Sequence, residues 1–121
     1  MSDIIETLMH ANLMSVFNER DESKRGAAIE RTYTGDVRWT DAEGVVTGRP
    51  ALETKCVELQ GNIGVLQFEI AGPVHQLAGF GQLAWHLVDP STGQPVTSGF
   101  DTALIKDGQI TDLWTILNPA Q

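Results

Sequence analysis

Apolar side chains in the second half of this chain recur at every second residue, a pattern that a helix cannot bury on one face. Leu66, Phe68 and Ile70 alternate with Gln67 and Glu69, as the two faces of a half-buried strand require. Gly72-Pro73 interrupts the pattern. One long strand is then expected from His75 to Val88, with Gly79 and Gly81 marking a bend or bulge. Asp89-Pro90-Ser91-Thr92-Gly93 is a turn sequence, Thr97 to Lys106 reads as the next strand, and Asp107-Gly108 is a two-residue hairpin signal. Ile110 to Leu117 completes a meander of four strands, and Asn118-Pro119 ends it.

The first half is written in the helical period. Ile5, Leu8, Met9, Leu13, Val16 and Phe17 form one stripe, with Asp3 and Glu6 spaced as a capping box. The polar run Asn18 to Ser23 stops that helix, and a second is expected from Lys24 to Thr32 with Ala28 and Ile29 facing inward. Tyr33-Thr34-Gly35-Asp36 reads as a turn, Val37 to Thr40 as a short strand, Asp41-Ala42-Glu43-Gly44 as another turn, and Val45 to Thr47 as the returning strand. Pro50 opens a third helix, where its missing N–H costs nothing. Ala51, Leu52, Cys56 and Leu59 are its apolar stripe, and Gly61 to Gly64 stops it. Helices gathered at one end and strands at the other give an α+β fold. The 121 residues suit a single domain, 1–121.

Charge narrows the partners. Asp and Glu number 16 against 8 Lys and Arg, a formal net charge of −8, so nucleic acid and anionic membranes are excluded as favoured partners. No apolar run reaches the ~18–20 residues of a membrane span. The opening Met-Ser-Asp-Ile-Ile-Glu has no basic stretch followed by an apolar block, so no secretion signal and a cytoplasmic location are expected. A lone cysteine, Cys56, rules out an internal disulfide, and its place on a helix stripe marks a buried, inert thiol. His10, His75 and His86 lack metal-site spacing, so no metal is expected. Gly79-Phe80-Gly81 sits inside a strand pattern with no helix after it, so it cradles no phosphate, and no cofactor is expected.

The candidate chemistry rests on Asp101. Counting back from a two-residue turn at Asp107-Gly108 sets Asp101 opposite Trp114, on a face shared with Ala103, Ile105, Ile110 and Ile116. A carboxyl group among such side chains has a raised pKa and suits proton transfer near neutral pH. The competing reading reverses the face and leaves Asp101 solvated. Asp41 is either a second acid in the same cavity or an ordinary turn residue. A symmetric loop at Thr92 sets Trp85 opposite Gly99 and His86 on the face away from Asp101; a bulge would instead pair His86 with Asp101. Trp39, Phe68, Trp85 and Trp114 are candidates for a pocket wall or for plain core.

The element order, together with Tyr33-x-x-Asp36-Val37, Gly44-x-x-x-Gly48, Gly99-Phe100-Asp101 and Asp107-Gly108-Gln109-Ile110, resembles the SnoaL-like branch of the nuclear transport factor 2-like superfamily along essentially the whole chain. The resemblance implies a cone-shaped, curved antiparallel sheet wrapped around N-terminal helices, a cystatin-like α+β barrel with an apolar pocket. It also implies a homodimer, formed through the sheet face. Matched to ketosteroid isomerase, Asp41 falls on the general-base position and Asp101 on the oxyanion-hole position. Leu13 stands where that enzyme has its oxyanion tyrosine, so that donor is missing and Leu13 becomes a pocket-lining residue. Matched to polyketide cyclases, Asp101 is the acid/base residue. The Asp–Arg–Asp set of epoxide hydrolases has no arginine equivalent here. The expected function is therefore binding of a small apolar molecule in the cone. Catalysis, as an isomerase, cyclase or dehydratase, would use Asp101 with Asp41 or His86 assisting. The alternative is a non-catalytic ligand-binding or dimerisation module of the same fold.

Overall fold

The computed structural model describes residues 3–118. Helix α1 (Ile4–His10) runs on without a break into a π-helical segment, Ala11–Phe17. The wider turn shows in the bond from the Asn18 amide to the Leu13 carbonyl, five residues back, at 2.9 Å. Asp3 precedes α1 but its side chain caps nothing, so the expected capping box does not form. Helix α2 (Glu22–Thr32) is capped by Asp21, whose carboxylate accepts from the Lys24 amide at 2.9 Å. Helix α3 (Arg49–Ile63) has Pro50 in its first turn and ends at Gly64, where φ is 59°.

The strands are β1 (Tyr33–Asp41), β2 (Gly44–Thr47), β3 (Gln67–Ile70), β4 (His75–Leu77), β5 (Phe80–Asp89), β6 (Gln94–Lys106) and β7 (Gln109–Leu117). They form one sheet in the order β2-β1-β7-β6-β5-β3, with β4 also on β5. The architecture is the expected α+β one. It is mixed rather than purely antiparallel, because β1 lies parallel to β7. That parallel ladder also corrects the turn expected at Tyr33 to Asp36. Tyr33 pairs with Ile110, and the buried Tyr33 and Val37 make this stretch the start of β1.

The single strand expected from His75 to Val88 is two. Leu77 pairs with Phe80 across Ala78-Gly79, and Gly79 takes the left-handed φ of 71° that closes this hairpin. At the other hairpin Asp107 and Gly108 both have positive φ, 52° and 79°, as a type I′ turn requires. Lys106 then pairs with Gln109 and Ile105 with Ile110, but Leu104 pairs with Asp112. Thr111 is an extra residue in β7, and every β7 side chain beyond it changes face.

The helices cover one face of the sheet and share its core. Leu13, Val16 and Leu52 from the helices and Val37, Leu83 and Leu113 from the strands are at most 1% exposed. Arg25 of α2 is buried beside α3. Its guanidinium donates to both carboxylate oxygens of Glu53 at 2.7 Å and to the Glu19 carbonyl at 3.0 Å. Cys56 is fully buried and burial pushes its thiol up to about 12, which leaves it unreactive. Among the described residues no helix is long and apolar enough to cross a membrane.

Candidate functional site

The bulge at Thr111 decides what meets Asp101. Asp101 pairs with Thr115, and Trp114 pairs with Thr102. Trp114 and Ile116 therefore alternate toward the outer face, contrary to the register counted from the turn, while Leu113 and Thr115 turn in. Trp85 pairs with Gly99 and Leu83 with Asp101, so Trp85 and Leu83 share the inner face with Asp101. A Cβ on Gly99 would lie 2.6 Å from the Trp85 ring. The glycine is what lets the indole lie flat across β6 toward Asp101.

Asp101 is 2% exposed and accepts three hydrogen bonds. The Trp85 indole N–H and the Thr115 hydroxyl both reach Oδ1 at 3.1 Å, and the Asn12 amide reaches Oδ2 at 2.9 Å. Tyr33 donates its hydroxyl to Asn12 Oδ1 at 2.5 Å, which fixes the Asn12 amide with its N–H₂ toward the carboxylate. Trp39 donates its indole N–H to the Thr115 hydroxyl oxygen at 3.0 Å. Burial pushes the Asp101 carboxyl up to about 6, against the three donors, which favour the ionised form. Burial above all, and the nearby Asp101 charge, push the Tyr33 phenol well above its ordinary range.

A cavity of about 780 Å³ lies between α3 and the inner face of the sheet, within the usual range for small-molecule sites. Trp39, Phe68, Trp85, Leu59 and Leu87 give it an apolar wall, and Trp114 also borders it. Phe68 packs edge-on against Trp85, with ring centroids 5.1 Å apart. A second void of only about 10 Å³ adjoins it, sharing Trp39, Leu59, Phe68, Trp85 and Thr115, and adding Leu13, Phe17 and Asp101. Asp101 thus borders the small void and not the large cavity. Thr115 borders both.

Asp41 sits apart from this group, at the end of β1. Its carboxylate accepts from the Glu43 amide at 2.9 Å, closing the turn, and pairs with Lys55 of α3 at 3.0 Å. Lys55 also reaches Glu43 at 2.9 Å and lies 5.5 Å from the centre of the Trp39 ring. Asp41, Glu43 and Lys55 all border the large cavity. His86 is corrected as a candidate. It pairs with Ser98 on β6 and Glu69 on β3, is exposed, and faces away from Asp101. The bulge in the β5–β6 ladder falls at Leu87/Val88, between the turn and His86, and the one-residue shift sets Trp85 rather than His86 on the face of Asp101.

Asn12, Lys55 and Thr115 are not singled out by the sequence, and Tyr33 enters there only as a motif and turn residue. Asn12 carried a readable signal, since it stands four residues from both Leu8 and Val16 on an apolar stripe. Thr115 carried none, because its facing depends on the bulge. Among the described residues no three His, Cys, Asp or Glu side chains gather where a metal ion could be held.

No family model matches the sequence, and no curated protein does. Solved structures do match. A proposed isomerase of the SnoaL-like family from Agrobacterium tumefaciens superposes with a TM-score of 0.88 over 98% of this chain and 100% of its own, at 19% identity. The chain has the SnoaL-like fold. A proposed ketosteroid isomerase from Kribbella flavida gives 0.76 over 99% of this chain and 82% of its own, at 14% identity. A proposed SnoaL-like polyketide cyclase from Jannaschia sp. gives 0.75 over 98% and 90%, at 16% identity. Likeness at these identities speaks for the nuclear transport factor 2-like architecture, and the SnoaL-like scaffold by itself assigns no reaction.

Proposed function

We propose that this protein binds a small, largely apolar molecule in the cavity between α3 and the sheet and moves a proton with Asp101, without a cofactor. Isomerisation, aldol-type cyclisation and dehydration all start from that step, followed by reprotonation, C–C bond formation or loss of water respectively. The observation that carries the reading is a carboxyl group buried behind the wall of an apolar cavity, one threonine away from it, held by three fixed donors and raised to about 6. Such a group is half-ionised near pH 6 and mostly ionised at neutral pH, where it serves as a base and, once protonated, as an acid. The names of the solved neighbours, isomerase and polyketide cyclase, agree with it. Asp41, paired with Lys55, shapes the far side of the cavity and its electrostatics rather than sharing a proton with Asp101.

The second reading, a binding module without chemistry, is favoured by one fact. All three hydrogen bonds of Asp101 are made inside the protein, so nothing in the fold leaves it reaching for a substrate. The two readings separate with nitrobenzisoxazole, a flat apolar probe. A base removes its ring C–H proton, the N–O bond breaks, and the electron pair ends on a coloured cyano-nitrophenolate. Turnover that rises with pH through about 6 and disappears in Asp101→Asn supports the enzyme. Binding of naphthol to the cavity, read by quenching of Trp39 and Trp85, with no turnover of the probe at any pH, supports the module. We further propose that two copies of the chain pair through the outer face of the sheet.

A further inference from the structure

We propose that Thr115 is the catalytic residue a guest molecule touches, and that its hydroxyl relays the proton between the guest and Asp101. The inference rests on the proton-transfer reading of the same site and names the residue that makes contact. Asp101 is nine-tenths buried and more, and it borders only a void of about 10 Å³. A molecule filling the cavity of about 780 Å³ meets Thr115, which borders both spaces.

The hydrogen bonds around Thr115 leave it one job. A hydroxyl has one proton and two lone pairs. The proton is directed at Asp101 Oδ1, 3.1 Å away, and one lone pair accepts the Trp39 indole N–H at 3.0 Å. An indole N–H only donates, so Trp39 cannot take the proton, and the same holds for Trp85 on Asp101. Among the described residues nothing donates to the second lone pair, and Thr115 borders the cavity. When Asp101 is ionised, Thr115 is therefore an acceptor toward a guest. When Asp101 is protonated on Oδ1, it donates to Thr115, and the threonine proton swings to the cavity as a donor. The protonation state of a buried acid is thereby presented at the wall of a pocket it does not itself reach.

The base step balances as a concerted shift. The C–H bond of the guest breaks, its proton forms a bond to Thr115 Oγ1, and the former threonine proton passes to Asp101 Oδ1. The electron pair stays on the guest, as an enolate in a carbonyl compound or in the broken N–O bond of nitrobenzisoxazole. Returning the proton by the same path to a different atom of an enolate gives isomerisation. No oxidant, metal or second reactant enters.

The test uses the full chain and nitrobenzisoxazole. Thr115→Val removes the hydroxyl at nearly constant volume and is expected to lower kcat about 100-fold with KM little changed, the usual scale for losing a proton-transfer group. Thr115→Ser keeps the hydroxyl and should restore kcat to within about threefold of wild type. An independent reading needs no variant. The probe's C–H does not exchange with solvent but the threonine proton does, so a relay slows kcat in D₂O on the flat part of the pH profile. Direct transfer to Asp101 carries no exchanged proton and leaves kcat unaltered. If wild type is active, Asp101→Asn is inert, and neither Thr115→Val nor D₂O lowers kcat, the relay is wrong and Asp101 alone is the base. If wild type leaves the probe intact at every pH, relay and proton-transfer reading fall together. Should Thr115→Val not fold, the solvent isotope comparison decides.

Discussion

Asp101 is a residue whose burial opposes the ordinary preference of a carboxylate for water. Its folded pKa, about 6, lies above the 3.8 of the free group. The folded state therefore holds this proton more tightly than the unfolded one. By linkage, the chain then loses stability as pH rises from 3.8 to about 6, and the loss is complete above that window. The size, at 1.36 kcal/mol per pKa unit, is about 3 kcal/mol. Asp101→Asn removes the titration at nearly constant volume. The stability of Asp101→Asn relative to wild type, read by urea unfolding, should thus grow by about 3 kcal/mol from about pH 3 to about pH 7. A difference that stays flat across that range would mean the carboxyl is not held neutral by burial. From sequence, the inward turn of Asp101 was one of two open readings. The alternation Gly99, Asp101, Ala103 fixed its face relative to its neighbours, but only the helices packed on that face say which side is dry.

At the scale of elements, what was legible depended on whether a signal was local. The Asp107-Gly108 turn, the Pro50 helix start and the period-two strands are local, and all stand in the structure. The Thr111 bulge and the Ala78-Gly79 hairpin are not. Each is settled by what the neighbouring strand offers, and the bulge alone exchanged Trp114 for Thr115 opposite the acid. The same non-local logic pairs α2 with α3 through Arg25 and Glu53. Arg25 has a side-chain exposure of 4% and Glu53 of 28%. Removing one member of a buried pair costs ~3–5 kcal/mol because the other charge is left uncompensated. Glu53 is partly solvated and Arg25 keeps the Glu19 carbonyl, so Glu53→Ala should cost less, about 2 kcal/mol. Its urea midpoint is the measurement, and a midpoint equal to that of wild type would show that the pair contributes no net stability.

At the scale of the molecule, the two faces of the sheet are unequal in a way that bears on assembly. The inner face is spent on the helices and the cavity. On the outer face Ala84, Phe100 and Ile116 form one continuous apolar row across β5, β6 and β7, and Gln82, Thr102 and Trp114 form the next, with Trp114 and Ile116 also bordering the cavity. Leu104 follows at 41% exposure and Ile116 is 47% exposed. A lone apolar side chain in water is ordinary, but adjoining rows of them on a sheet are the mark of a surface that a partner covers. Net charge works against self-association, since each copy carries −8. Salt therefore favours pairing, because it screens the repulsion without weakening apolar burial. If two copies pair through these rows, sedimentation should show a species of twice 13.2 kDa that strengthens as salt screens the repulsion. Leu104→Glu places a charge beside the rows, next to Asp112 and without touching the cavity, and should return the protein to a single 13.2 kDa species with naphthol binding intact. Wild type that sediments as 13.2 kDa at every protein and salt concentration would remove the pairing and leave the cavity argument standing, because no residue of the outer rows holds Asp101.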